Sequence, residues 1–433
     1  GRLNYTLDDK YLFTVSFRRD GSSRYSTSNK WSNFPSAAIA WRLSNEDFFH
    51  ASRALSDLKL RASYGATGST AISPYQTLNR LFSGNVIFGD QLYVALAPGT
   101  TLPGNLKWET TNQFDAGLDA SLLNSRLRFS ADFYVKRTKN LLNTVQLPAS
   151  MGYQSTLQNV GEIENRGMEF AVDADVFKGD FNWTVSGNIS FNKNKVLKLY
   201  EGQDIYGQNI YTGSLNDYVN LLREGQPLGI FYGYKEKGYT ATGNIEYQDL
   251  VPDGVIKPDD KTYIGDPNPD FIYGFNSVAS YKGFELTLFI QGSQGNDIFN
   301  LNKSATLDLG MGLNLPQEVY YNHWTTQKTN TAYPKITRSL SGNMSNRFVE
   351  DGSYLRFKNI QVAYNLPLQT MKAKWMKSAQ VYVSGQNLIT ITNYSWYDPE
   401  INAYGGGNSI TQGIDYFTYP ASKSVTVGIR CTF

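Results

Sequence analysis

The feature that most constrains this chain is strict two-residue alternation, repeated many times along it. From Arg126 to Lys136, Leu127, Phe129, Ala131, Phe133 and Val135 fall on one face, and Arg126, Arg128, Ser130, Asp132, Tyr134 and Lys136 on the other. A helix would scatter both sets around its circumference, whereas a strand sorts them cleanly. The pattern returns from Phe181, where Phe181, Trp183, Val185, Ile189 and Phe191 oppose Asn182, Thr184, Ser186, Asn188 and Ser190. It returns again at the end, where Val425, Val427, Ile429, Cys431 and Phe433 alternate with Ser424, Thr426, Gly428, Arg430 and Thr432.

Extended over the chain, the pattern predicts about fifteen strands, starting near residues 1, 11, 34, 57, 112, 126, 161, 181, 217, 228, 271, 284, 347, 379 and 422. The connections carry a second signal. Short turns such as Asp8-Asp9, Asn124-Ser125, Lys178-Gly179-Asp180, Glu224-Gly225-Gln226-Pro227 and Lys282-Gly283 alternate with long loops over 67–111, 139–160, 239–270 and 293–346. Outer-membrane barrels sort their connections in this way, with short periplasmic turns and long external loops. The expected fold is therefore all-β, a transmembrane antiparallel β-barrel. No run approaches the roughly 18 consecutive apolar residues of a membrane helix. The negative mean hydropathy suits strands that show only every second side chain to lipid. A soluble β-sandwich that binds carbohydrate is the competing architecture, since it too alternates and turns on glycines. It gives no reason for loop length to follow parity, or for Arg128, Asp132 and Lys136 to share a face.

Bacterial single-chain barrels close with an even number of strands. An odd count, and an opening Gly1-Arg2-Leu3-Asn4-Tyr5 that already reads as strand, lead us to expect residues 1–433 to be the carboxy-terminal part of a larger barrel of roughly 22 strands. Its first strands and anything that occludes the lumen are expected upstream.

Composition narrows function. Forty Lys plus Arg nearly cancel 38 Asp plus Glu, so net charge gives no case for nucleic acid. One cysteine and two histidines, His50 and His323, exclude an internal disulfide framework and a Cys/His zinc cluster. Neither histidine neighbours a nucleophile motif such as G-x-S-x-G, and Asp115 and Asp119 suit a polar lumen better than acid–base work. The expectation is a protein that is not an enzyme and holds no cofactor.

Several segments, in order and spacing, resemble the SusC/RagA family of TonB-dependent outer-membrane transporters. They are Lys10-Tyr11-Leu12, Arg18-Arg19-Asp20-Gly21-Ser22-Ser23-Arg24-Tyr25, Phe34-Pro35-Ser36, Trp41-Arg42, Leu58 through Gly65, Trp108-Glu109, Phe114-Asp115-Ala116-Gly117, Asn165 through Glu169, and Gly413 through Phe433. The resemblance implies a multi-pass outer-membrane importer of glycans or peptides, energised by TonB and paired with a SusD-like surface lipoprotein that lids the barrel. A siderophore or cobalamin receptor without a lid is the alternative, and the Asp20-Gly21-Ser22-Ser23 and carboxy-terminal segments count against it. The resemblance also implies that Phe433 belongs to a barrel-assembly signal.

Two residue sets are candidates for binding. Loop aromatics can stack on the apolar face of a sugar ring, and Tyr320, Tyr321, Trp324, Trp396 and Tyr397 are the ones singled out. Their competing role is the aromatic girdle at a membrane interface. Asp249, Asp253, Gly254 and Asp260 occupy positions 1, 5, 6 and 12 of a calcium-type loop. Val251 stands where an oxygen ligand is wanted, and Asp260 replaces the longer glutamate, so an ordinary Asp-Gly turn competes with calcium binding.

Overall fold

The computed structural model describes residues 1–49, 52–70, 72–78, 80–212, 215–307, 312–338, 342–368, 375–401, 403–404 and 410–433. Thirteen long strands carry the architecture among them: β1 Arg2–Leu7, β2 Tyr11–Gly21, β3 Trp31–Arg42, β4 Leu55–Ser69, β5 Glu109–Leu122, β6 Leu127–Gln146, β7 Ser155–Phe177, β8 Phe181–Lys198, β9 Phe271–Tyr281, β10 Phe284–Gln294, β11 Tyr354–Asn365, β12 Ser378–Thr392 and β13 Ser424–Thr432. None of the described helices is long and apolar enough to cross a membrane, which says nothing of strands.

The chain forms two compact units. One comprises Gly1–Ser125, Ser130–Met168 and Lys193–Gln203; the other comprises Arg126–Phe129, Glu169–Asn192 and Asp204–Phe433. In the first unit the strands from β1 to β5 follow one another as an antiparallel meander, with Leu3 opposite Val15, Val15 opposite Ala37 and Leu60 opposite Leu118. In the second, the 181–190 part of β8 and then β9 through β13 do the same, with Leu286 opposite Val362 and Val383 opposite Val427.

Directly paired residues point to one face, so these registers line up apolar rows. The rows are exposed rather than buried. Leu3, Tyr5, Phe13, Val15, Phe17 and Ile39 lie open in the first unit, and Leu286, Val362, Val383, Val427 and Ile429 in the second. A soluble monomer rarely shows contiguous apolar patches beyond a few hundred Å². The sandwich alternative requires these rows to be its core, and they are outside. Strand ends follow local chemistry. Asp8 and Asp9, both with φ near 50°, form the two-residue turn between β1 and β2, and Lys282-Gly283 closes β9 onto β10 in the same left-handed region.

The expected strands near 217 and 228 are not wall strands. Leu215–Tyr218 pairs with Asn209–Thr212, and Asn220–Leu222 with Ile230–Gly233, in small separate sheets. A barrel strand needs about 9–11 residues to cross the bilayer, so runs of three or four cannot. They belong to one long connection, 199–270, and the longest connections, 70–108, 199–270, 295–353 and 393–423, all fall at even places in the order of connections. The segments 8–10, 43–54, 123–126, 178–180, 282–283 and 366–377 alternate with 22–30, 70–108, 147–154, 199–270, 295–353 and 393–423.

The long connections of the second unit are not the plain polar loops that their sequence suggests. Ile210, Phe231, Phe299, Leu301, Phe348 and Ile414 are fully buried in a core assembled from three of them. Phe299 sits at its centre, with ring centroids 5.6 Å from both Phe231 and Phe348.

Candidate functional site: a charged wall and a loop assembly bearing aromatics

In the first unit the face opposite the apolar rows carries an ion-pair network. Arg61 on β4 donates Nε and Nη2 to the two carboxylate oxygens of Asp119 on β5, each at 3.0 Å, and reaches Asp132 on β6 at 2.8 Å. Lys59 joins Asp119 at 2.8 Å, and Asp115 accepts from Ser63 and Gln113. A planar guanidinium with five donors can serve two carboxylates at once, as an ammonium cannot. Gly117 makes room for it, since a Cβ there would lie 2.4 Å from Asp132 Oδ1. A cavity of about 310 Å³ opens beside this network, lined by Thr14, Ala38, Lys59, Arg61, Ser63 and Asp115. Asp115 and Asp119 are therefore held in pairs across strands, as suits a wet, charged wall.

The motif residues near β2 form a second cluster in this unit. Tyr25 stacks on Trp108 at 5.4 Å, Phe34 meets the same ring edge-on at 5.8 Å, and Trp108 Nε1 donates to the Asn29 carbonyl. Burial pushes the Tyr25 hydroxyl up to about 12. Arg24 donates to the Ile72 carbonyl at 3.0 Å. The Arg-Arg-Asp-Gly-Ser-Ser-Arg-Tyr segment thus acts as a buckle between long connections, a role its polar residues alone do not reveal.

In the second unit the five aromatic candidates separate into three situations. Tyr320 and Tyr321 are exposed on the short helix Gln317–Asn322, their rings edge-on at 5.3 Å. His323 follows, its Nδ1 within 2.6 Å of the Tyr320 carbonyl; His50 lies outside the described residues. Trp324 is buried, with Gly243 against its ring so closely that a Cβ would sit 2.4 Å away. Trp396 is half-buried, and Tyr397, 76% exposed, meets it edge-on at 5.3 Å.

The acidic loop closes on itself. Buried Asp260 accepts the amides of Leu250, Val251 and Lys257, while Asp249 and Asp253 accept those of Gly254 and Val255. Those amides, Val251 and Lys257 foremost, hold the Asp260 carboxyl below its ordinary range. Asp253 also pairs with Lys257. The three carboxylates are taken up chiefly by backbone donors and a lysine, with Asp249 also in hydrogen-bonding reach of Asp260, and among the described residues no cluster of three or more metal-ligating acids, histidines or cysteines occurs.

Against this geometry, the profile of the family described as TonB dependent receptor-like, beta-barrel, matches residues 1–388. The chain belongs to that family. Among its relatives, TonB-dependent receptor P3 of Formosa agariphila is 39% identical over 453 aligned residues, covering 100% of this chain and 45% of the relative. TonB-dependent receptor SusC of Bacteroides thetaiotaomicron is 33% identical, covering 100% of this chain and 43% of its own length. A solved structure of the RagAB peptide transporter superposes with a TM-score of 0.86 at 28% identity, over 100% of this chain and 47% of that one. The chain spans about half the length of the curated relatives it matches.

As a TonB-dependent receptor barrel, the chain is an outer-membrane protein, and its exposed rows face lipid. The second unit also shows where the apolar band ends. Phe177, Phe181, Tyr281, Phe284 and Tyr364 lie at strand ends beside short turns, Trp375 precedes β12 by three residues, and Phe433 follows β13 directly. Their rings touch in Phe177–Phe181, Phe181–Tyr281, Phe284–Tyr364 and Trp375–Phe433 pairs, the last stacked at 5.6 Å. This is an interfacial girdle, and Phe433 closes the lipid-facing row within it. Trp375 was absent from the sequence candidates, because nothing in its local pattern ties it to the last residue.

Proposed function

We propose that this chain forms part of the wall and external loop assembly of a SusC-like importer, which passes oligosaccharides or peptides through the outer membrane. Energy comes from TonB, and a SusD-like lipoprotein captures the cargo above the barrel. The observation that carries the reading is similarity along the whole of this chain, and under half of each relative, in sequence to SusC and in structure to the RagAB peptide transporter. The physical arrangement agrees with it: lipid-facing apolar rows, an opposite face kept hydrophilic by Lys59, Arg61, Asp115, Asp119 and Asp132, and a packed loop assembly that presents Tyr320, Tyr321 and Tyr397 to solvent. A large polar cargo needs a wet passage and a rigid platform to bind, and these parts supply both.

The test is to solubilise outer membranes in mild detergent, capture the full-length protein through a tag in a long connection, and identify companions by mass spectrometry. A stoichiometric lipoprotein is the expected result. Recovery from membranes with no lipoprotein would instead favour a lidless receptor of the same fold.

A further inference from the structure

Resting on the importer reading, we propose that Arg356 is a positioning residue that holds Trp396 and Tyr397 as a cargo-contacting pair over the hydrophilic face of the wall. Leu355 and Phe357 on β11 pair with Ile391 and Ile389, both exposed on the lipid side, before the register shifts between Phe357 and Asn359. Arg356, between them, therefore points to the opposite face, where it is 2% exposed.

A buried guanidinium must be paired, and this one is paired by a connection rather than by the wall. Its Nη2 donates to Asp398 at 2.5 Å, its Nη1 to Glu400 at 2.8 Å and its Nε to Thr390 at 3.0 Å. Gln291 and Lys358 reach Glu400 at 3.4 Å, so Asp398-Pro399-Glu400 is clasped to β10 and β11, and only through Arg356 to Thr390 of β12. Asp398 also accepts the amides of Glu400 and Ala421. The other end of the segment is fixed as well. The Tyr394 hydroxyl donates to Asp415 at 2.6 Å, and Ser395 donates its amide and hydroxyl to Glu350 at 2.8 Å each.

Between two anchored ends stand Trp396 and Tyr397. A girdle role does not fit them, because girdle rings lie on the lipid side, whereas this segment is bound to the opposite face. A large aromatic left in water between rigid clasps is preorganised to stack on an apolar ring or side chain of a ligand, and its ordering entropy is already spent.

The experiment uses the full-length protein in its own outer membrane, with maltohexaose and a tryptic casein peptide pool as probes, measuring initial uptake against concentration. Tyr397→Ala is expected to raise half-saturation about three- to tenfold with the maximal rate retained, the size of an aromatic contact. Tyr397→Phe, which keeps the ring, is expected to behave as wild type. Arg356→Gln/Asp398→Asn removes both charges, so that no buried ion is left unpaired. It should raise half-saturation similarly, and adding Tyr397→Ala should raise it no further, because both changes remove one contact. Unchanged half-saturation in Tyr397→Ala, or effects that multiply, would overturn the proposal while leaving the importer reading intact. Failure of the wild type to take up either probe would overturn the importer reading, and this inference with it. If the clasp variant does not reach the membrane, the Tyr397→Ala and Tyr397→Phe pair decides.

Discussion

Val427 tests the inside-out assignment most sharply. It lies on β13, 71% exposed, in a row that ends at Phe433 in the girdle. Six residues at about 3.3 Å each place it roughly 20 Å along the strand from Phe433, and a tilt near 45° reduces that to about 14 Å of depth. The apolar band of such barrels is about 25 Å tall, so Val427 sits close to its middle. Val427→Arg should then cost about 2–4 kcal/mol, a factor of about 30 to 1,000 in the folded ratio. Cys431→Arg, two residues from the girdle, should cost no more than about 1 kcal/mol. Thr426→Arg, one residue away but on the hydrophilic face, should cost little. The assay is denaturant unfolding of the full-length protein in lipid vesicles, followed by heat-modifiable gel mobility. Equal costs for Val427→Arg and Thr426→Arg, or a cost that rises toward Phe433, would refute the assignment of faces.

Three further outcomes are expected. Phe299→Ala, at the centre of the loop core, should cost that core about 3–5 kcal/mol and expose the long connections to limited proteolysis, while the wall keeps its heat-modifiable mobility. Deletion of Phe433 should lower outer-membrane levels more than it loosens β12 and β13, and normal levels by immunoblot would count against an assembly role. Asp260 has a lowered pKa, so its contribution to loop stability is present above the ordinary aspartate value of about 3.9 and is lost as pH falls through the lowered one. Amide protection factors at Leu250, Val251 and Lys257 should accordingly stay constant from about pH 7 to pH 5, fall below about pH 4, and not respond to calcium chelation.

How far the sequence could be read depended on whether the signal was local. Alternation in Leu127–Val135 and Val425–Phe433 reports a half-exposed sheet directly, and the barrel wall follows from it. Alternation cannot say whether a short apolar run crosses a membrane or packs in a loop. Asn220-Leu221-Leu222 and Ile230-Phe231 therefore read as wall and proved to be loop core. The hairpin of Leu81–Phe88 and Gln91–Pro98 was legible in principle from its Gly89-Asp90 turn, both residues having positive φ, but it lay inside a span read as loop. The aromatic candidates were visible by type alone. What separated buried Trp324 from exposed Tyr397 was Gly243 in one case and the distant Arg356 in the other, partners that no local window contains.

Cys431, which lies exposed on the lipid-facing row of β13, lets the wall be probed directly. A spin label on this thiol, in the full-length protein reconstituted in vesicles, is read for collisions with oxygen, which partitions into lipid, and with a water-soluble nickel chelate. Frequent oxygen and rare nickel collisions are expected at Cys431, and the reverse for a label placed at Thr426 in a Thr426→Cys/Cys431→Ser variant. Frequent nickel collisions at Cys431 would put the apolar row in water and contradict the barrel wall.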